Sequence, residues 1–256
     1  MIKEKYNAIC LDLDGTVYRG IEPIPEAVTF IGNMQHRGID PYFITNNSSM
    51  TRLQLQEKLV SFGIKADSNR IMTSAIAAAK YCKENHDGAS VMMIGEKGLE
   101  EALVFEGIEV VTENPDVIIM GIDRGVTYAK LADACLAIRA GAHFIATNSD
   151  KAFPTERGLV PGNGSFAMLM ENATGVSPVY VGKPEPHMLG FIQQENGYCK
   201  EEMVMIGDNY DTDIQAGIRF GIDTVHVAGG VTSLEELRAK QHRPTHSLRT
   251  LLELGI

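Results

Sequence analysis

Four stretches of this chain place polar residues directly after short apolar runs. Asp12 and Asp14 stand two apart at the end of Ala8-Ile9-Cys10-Leu11. On a strand end that spacing turns both carboxylates to one side, where they can reach a single ligand. Gly15 follows at once, and glycine permits the sharp turn that brings backbone N–H groups up to an anion. Thr45-Asn46-Asn47 follows Tyr42-Phe43-Ile44, Gly182-Lys183-Pro184 follows Val179-Tyr180-Val181, and Gly207-Asp208 follows Val204-Met205-Ile206, with Asp213 close behind. An Asp-x-Asp triplet alone is common in surface loops, and Thr-Asn-Asn alone reads as an Asx turn and helix cap. A lysine that precedes proline among acidic stretches reads as a fixed counter-ion.

The elements that position these groups follow from the same runs. Their apolar residues do not alternate in and out, as expected of parallel strands covered on both faces. Val225-His226-Val227, before Ala228-Gly229-Gly230, is a further one. Helical patterns lie between them, which predicts βαβ crossovers and a doubly wound α/β parallel sheet. Ligands of such sheets bind beyond the carboxyl ends of the strands, so four strand ends, including that of Val179–Val181, are expected to bring their polar groups together. One helix start is legible in detail. Thr51 and Gln54 form a capping box, Met50 and Leu55 a hydrophobic staple, and Leu55, Leu59 and Phe62 the buried stripe.

A second set of strands is expected at Val91–Ile94, Val117–Met120 and Phe144–Ala146, with helices at about Gly98–Phe105 and Thr127–Ala140. The stretch from Thr45 to Lys183 is far longer than one crossover needs. The reading is therefore a core of residues 1–79 plus 179–256, interrupted by a smaller inserted α/β domain at 80–178. Gly162-Asn163-Gly164-Ser165 lacks the dinucleotide and Walker patterns and reads as a turn before a helix.

Composition narrows the function. The chain has 256 residues, 44% of them hydrophobic and 22% charged, as in ordinary globular proteins. A net charge of −10 argues against a nucleic-acid partner. No apolar run is long enough for a bilayer, and the start of the chain lacks the apolar core of a signal peptide, so no membrane association and a cytoplasmic location are expected. The four cysteines form no Cys-x-x-Cys pair and are expected as reduced thiols. The seven histidines, His187 and His226 among them, lack ligand spacing and read as structural or surface residues. The methionines fit core packing.

The four polar stretches resemble, in order, the motifs of haloacid dehalogenase (HAD) superfamily phosphatases: Asp12-Leu13-Asp14-Gly15-Thr16-Val17-Tyr18, Thr45-Asn46-Asn47-Ser48-Ser49, Gly182-Lys183-Pro184-Glu185-Pro186 and Gly207-Asp208-Asn209-Tyr210-Asp211-Thr212-Asp213. The resemblance implies a HAD core and a role for each residue. Asp12 would be the nucleophile that forms an aspartyl phosphate, and Asp14 the acid and then the base. Thr45, Asn46, Asn47 and Asn209 would bind substrate. Lys183 would neutralise both Asp12 and the transferring group. Acidic groups crowded around a dianionic phosphate require a cation, and an all-oxygen set points to Mg²⁺. By resemblance Asp12 and Asp208 bind it by carboxylate, Asp14 by its backbone carbonyl, and Asp213 stands behind them without touching the ion.

Asp14 separates the chain from the cation-transporting ATPases, which resemble this motif but carry threonine there. The gap from Asp14 to Thr45 leaves room for one helix and the next strand only, so the insertion follows the second motif, as in the NagD-like subfamily. Gly95-Glu96-Lys97-Gly98-Leu99, Gly121-Ile122-Asp123 and Pro161-Gly162-Asn163-Gly164-Ser165 resemble that subfamily's cap. The resemblance implies a phosphatase of small phosphorylated metabolites: sugar or acid-sugar phosphates, nucleotide monophosphates, phosphoglycolate or pyridoxal phosphate. Asp123, Arg124, Asn148 and Asp150 are expected to line the cap entrance, with Arg124 able to hold a substrate carboxylate. A phosphomutase or phosphoryltransferase and a non-catalytic phosphate-binding regulatory module are the alternatives. The sequence leaves open a homodimer.

Overall fold

The computed structural model describes residues 5–155 and 157–255. In chain order the strands are β1 (Ala8–Asp12), β2 (Tyr18–Arg19), β3 (Glu22–Pro23), β4 (Tyr42–Thr45), β5 (Ile71–Thr73), β6 (Val91–Ile94), β7 (Val117–Met120), β8 (His143–Ala146), β9 (Ala152–Thr155), β10 (Gly158–Pro161), β11 (Val179–Tyr180), β12 (Met203–Gly207), β13 (Asp223–Val227) and β14 (His246–Leu248). The α-helices are α1 (Pro25–His36), α2 (Arg52–Ser61), α3 (Ser74–Asn85), α4 (Lys97–Phe105), α5 (Tyr128–Arg139), α6 (Asn163–Thr174), α7 (His187–Asn196), α8 (Gln215–Phe220) and α9 (Leu234–Arg238). The chain divides into two compact units. One comprises the chain up to Thr45, Leu53–Met72 and the chain from Lys183; the other comprises Asn46–Arg52 and Thr73–Gly182. The sequence reading set the joins at about 80 and 178, whereas here α3 and β11 belong with the second unit.

The first unit is built on the sheet β14-β13-β12-β1-β4-β5. Strand β1 pairs in parallel with β12 on one side and β4 on the other, and β12 pairs in parallel with β13. Every residue of β1, β4 and β12 is buried, which is why these strands read as unbroken apolar runs. Helix α1 adds Phe30, Ile31 and Met34, and α2 adds Leu55 and Leu59. Phe62 falls just beyond the end of α2 and is half-buried. Helix α2 starts at Arg52, directly after the expected cap residue Thr51.

The second unit repeats the scheme on the parallel sheet β11-β8-β7-β6. Met92, Ile94, Ile118, Met120 and Phe144 pack with Ile138 of α5 and Met170 of α6 into its own core. The Thr127 hydroxyl accepts the Lys130 N–H at 3.3 Å and starts α5, while Gly175, at φ 76°, ends α6. The antiparallel hairpin β9–β10 completes this unit.

One expected core strand lies elsewhere. Val179-Tyr180 pairs in parallel with Ile145-Ala146 of β8, and Gly182 continues the pairing by donating its N–H to the Thr147 carbonyl at 2.8 Å. The run is thus the edge of the second sheet, with Val179 exposed, and the chain enters the first unit only at Lys183. An apolar run predicts a strand without showing which sheet it joins or how deeply it is buried. Among the described residues the cysteines are free thiols, and no helix is long and apolar enough to cross a membrane.

Candidate active site

The carboxyl ends of three adjacent strands build the site. Strand β1 ends on Asp12, β4 ends on Thr45, and β12 runs out into Asp208; all three side chains are buried. The segment after Asp208 forms one π-helical turn, Tyr210–Ile214, and the wider winding carries Asp213 back beside Asp208. Lys183 is buried against all of these. Its Nζ donates to Asp12 Oδ1 at 2.5 Å, to Asp213 Oδ1 at 2.7 Å and to the Ile44 carbonyl at 3.3 Å. Carboxylate oxygens of Asp12, Asp208 and Asp213 lie within 4.8 Å of one another.

The protein clamps Asp208 from several sides. The Thr16 hydroxyl donates to its Oδ1 at 2.9 Å and the Val231 N–H to its Oδ2 at 2.6 Å. His226, fully buried, has Nε2 3.1 Å from the Asp208 carbonyl and 3.0 Å from that of Thr232, so it ties the two loops together as a structural residue. Backbone comes so close that a Cβ on Gly230 would stand 1.8 Å from Asp208 Oδ2. Gly15, at φ +97°, would likewise place a Cβ 2.6 Å from that carboxylate. Asp213 is engaged on both oxygens, because Oδ2 accepts the Asn209 N–H at 3.0 Å. The side-chain oxygen of Asn209 accepts the Asp211 N–H at 3.0 Å and so starts the π-turn.

Electrostatics follow from this crowding. Burial pushes the Asp12 carboxyl well above the usual carboxylate range, Asp213 adds to the rise, and Lys183 opposes it. Asp208 is raised by burial and by Asp213. Burial alone would lower Lys183, but Asp12 and Asp213 outweigh it and hold the ammonium charged. Three buried carboxylates against one ammonium leave negative charge uncompensated, and every ligand atom is oxygen. That donor set fits a hard divalent cation.

Asp14 has a different setting. It is exposed on one side, and its Oδ2 accepts the Tyr18 hydroxyl at 3.3 Å and the Thr45 hydroxyl at 3.5 Å. Packing around the carboxyl raises it, while the charges of Lys58 and Lys183 pull it down.

The remaining sequence-predicted residues belong to the second unit. Asn46 Nδ2 donates to both carboxylate oxygens of Asp150, at 3.2 and 3.1 Å. Its carbonyl accepts from Asn148 Nδ2 at 2.8 Å and from the Ser74 hydroxyl at 2.6 Å. The side-chain oxygen of Asn47 accepts the N–H groups of Ser49 and Met50, the Asx turn that was the plain alternative for this stretch. Arg124 pairs with Glu96 at 2.8 Å, and Asp123 with Lys130 at 2.9 Å.

Residues 9–109 match the family model of haloacid dehalogenase-like hydrolases, and residues 180–254 match that described as HAD-hydrolase-like. The chain is 45% identical over 248 residues to the 5'-nucleotidase YutF of Bacillus subtilis, covering 97% of each chain. It is 44% identical over 251 residues to the acid sugar phosphatase of Staphylococcus aureus, covering 98% of this chain and 97% of the other.

This chain belongs to the haloacid dehalogenase-like hydrolases. Within that family it is NagD-like, an enzyme that hydrolyses phosphoric monoesters. Its fold matches the crystal structure of a double-mutant thermostable NPPase from Geobacillus stearothermophilus with a TM-score of 0.91 and 47% identity, over 96% of this chain and 97% of that one. Three side chains of this HAD hydrolase's candidate site were given no role in the sequence reading: Thr16, Tyr18 and Lys58. Thr16 and Tyr18 stood inside the first motif, so their signal was present. Lys58 gave none: within Gln54-Leu55-Gln56-Glu57-Lys58-Leu59 it looks like any charge on a solvated helix face.

Proposed function

We propose that this phosphatase works through an aspartyl phosphate on Asp12, uses Mg²⁺, and serves phosphomonoesters of small metabolites. The observation that carries this reading is Lys183 held between Asp12 and Asp213 with Asp208 alongside. Asp12 and Asp208 would hold Mg²⁺ by carboxylate and Asp14 by its backbone carbonyl. Asp213 fits the place behind them, since both its oxygens already accept hydrogen bonds. Bound Mg²⁺ would supply the positive charge that draws phosphoryl oxygens to the buried carboxylates.

In the first step a carboxylate oxygen of Asp12 bonds to phosphorus while the bond to the ester oxygen breaks. Asp14 gives its proton to that oxygen and the alcohol leaves. In the second step Asp14, now a carboxylate, takes a proton from water whose oxygen bonds to phosphorus. The Asp12–phosphorus bond breaks and inorganic phosphate departs. Lys183 and the Thr45 hydroxyl stabilise charge on the equatorial oxygens. Asn46, Asn47 and Asn209, neighbours of these groups in the chain, complete the proposed substrate-binding set. The relatives' names make nucleoside monophosphates and acid sugar phosphates the first substrates to try, and the cap residues Asp123, Arg124, Asn148 and Asp150 the first places to look for selectivity.

The test is a panel of phosphomonoesters with Mg²⁺, run on the native enzyme and on Asp12→Asn. Phosphate release should fall on the order of 10⁴-fold or more in the variant, because an amide is a poor nucleophile. Thorough chelation should abolish turnover, and added Mg²⁺ should restore it. Activity that survives either treatment refutes the mechanism.

A further inference from the structure

The first unit contains a cation that this mechanism does not use. Lys58 lies half-buried on α2 with its Nζ 3.6 Å from the centre of the Tyr18 ring. A cation over an aromatic face is attracted by the electron-rich face of the ring, the more so as water is excluded. Tyr18 is itself buried, and Phe62 bounds its ring at 5.7 Å between centroids. Burial lowers Lys58 from the ordinary lysine range, and the charge of Asp14 draws it back up. The charge is therefore held near Asp14 despite the cost of partial desolvation.

Asp14 needs such help. Its carboxyl is open on one side, and the terminal torsion of an aspartate is soft. A proton donor nonetheless works only within a narrow geometry. The Tyr18 hydroxyl meets Asp14 Oδ2, the same oxygen that Thr45 reaches.

We propose that Lys58 and Tyr18 form a positioning pair for Asp14: the ammonium fixes the ring, and the ring hydroxyl fixes the carboxyl that protonates the leaving oxygen. This rests on the reading of Asp14 as the proton donor. Its consequence depends on the leaving group. A p-nitrophenolate departs readily without a proton, whereas an alkoxide does not. A displaced Asp14 should therefore spare aryl esters and penalise alkyl esters.

The experiment compares kcat/KM, which reports steps through departure of the alcohol, for p-nitrophenyl phosphate and an alkyl phosphate such as glycerol phosphate. Lys58→Met should lower the alkyl value about tenfold or more beyond the aryl one, Tyr18→Phe should shift it in the same direction, and Lys58→Arg should restore it. A general acid contributes on the order of 10²–10⁴-fold in all, which bounds the effect. Equal losses on both esters, or none, in Lys58→Met and Tyr18→Phe overturn the pair. Asp14→Asn is the control for the underlying reading. If it discriminates between the esters while the pair variants do not, the pair alone is wrong. If it does not discriminate either, the proton-donor role falls and the pair with it.

Discussion

At the carboxyl ends of β1, β4 and β12 stand Asp12, Thr45 and Asp208, whereas β6, β7 and β8 run out into Gly95, Gly121 and Thr147. Both sheets are parallel, both are covered by helices, and both bury polar groups at this edge. In the second unit those groups are neutral. Asn163 Nδ2 donates to the Met120 carbonyl at 3.1 Å, the Thr147 hydroxyl at 3.2 Å and the Asn148 carbonyl at 3.0 Å. In the first they are ionic, with Lys183 compensating part of the charge and a carboxylate cluster that fits a metal ion. The architecture supplies a place where strand ends converge; the residue types there decide what chemistry it can support.

Substitutions on the two sides measure that difference. Lys183→Met should cost about 3–5 kcal/mol of stability, because it strands Asp12 and Asp213 as buried charges without their cation. Denaturant unfolding of the metal-free protein gives the number, and little change would mean that Lys183 is not the compensating charge. Asn163→Ala should cost less, about 1–3 kcal/mol, since it leaves neutral acceptors unsatisfied. A cost equal to that of Lys183→Met would erase the distinction between a charged and a neutral strand edge.

The smallest effect is a dependence of stability on pH. Asp12, Asp14 and Asp208 titrate above the ordinary 3.8 in the folded protein. Between that value and their raised ones the native state binds more protons than the unfolded chain, so their contribution to stability falls as pH rises through the window. Asp87, paired with Lys83, Asp116, bonded by Ser90, and Asp223 of the first unit, bonded by Lys5, are lowered instead, so their contribution is present above 3.8 and is lost as pH falls through their folded values. Melting of the metal-free protein across this range should show the first trend, weakened in Asp12→Asn and flattened by Mg²⁺. An unchanged slope in Asp12→Asn would exclude Asp12 as a source of it.

The sequence was most legible where position and chemistry were both local. Val91–Ile94 and Val117–Met120 were read to the residue, because a strand covered on both faces leaves an unbroken apolar run. The convergence of Asp12, Thr45 and Asp208 was foreseeable from strand ends alone, whereas Lys183 follows a strand of the second sheet and Asp213 arrives through the π-turn. Pairing was not foreseeable, and Val179-Tyr180 was assigned to the wrong sheet for that reason. Strand β14, His-Ser-Leu with two exposed residues, and the hairpin β9–β10, which contains Pro154 and Gly158, carry too little pattern to be seen. The π-turn at Tyr210 depends on Asn209 capping its own segment, which looks from sequence like an ordinary helix start. Lys58 becomes noticeable only once its helix brings it over Tyr18.

The closeness of Gly15 and Gly230 to Asp208 has a genetic side. Every base change that replaces a glycine introduces a Cβ or a stop, and at these two positions the Cβ would fall 2.6 or 1.8 Å from the carboxylate. In a library of all single substitutions selected for activity, both positions should return glycine alone, while exposed Gly20, with nothing within 4 Å of its hypothetical Cβ, constrains its replacements only through its backbone angle.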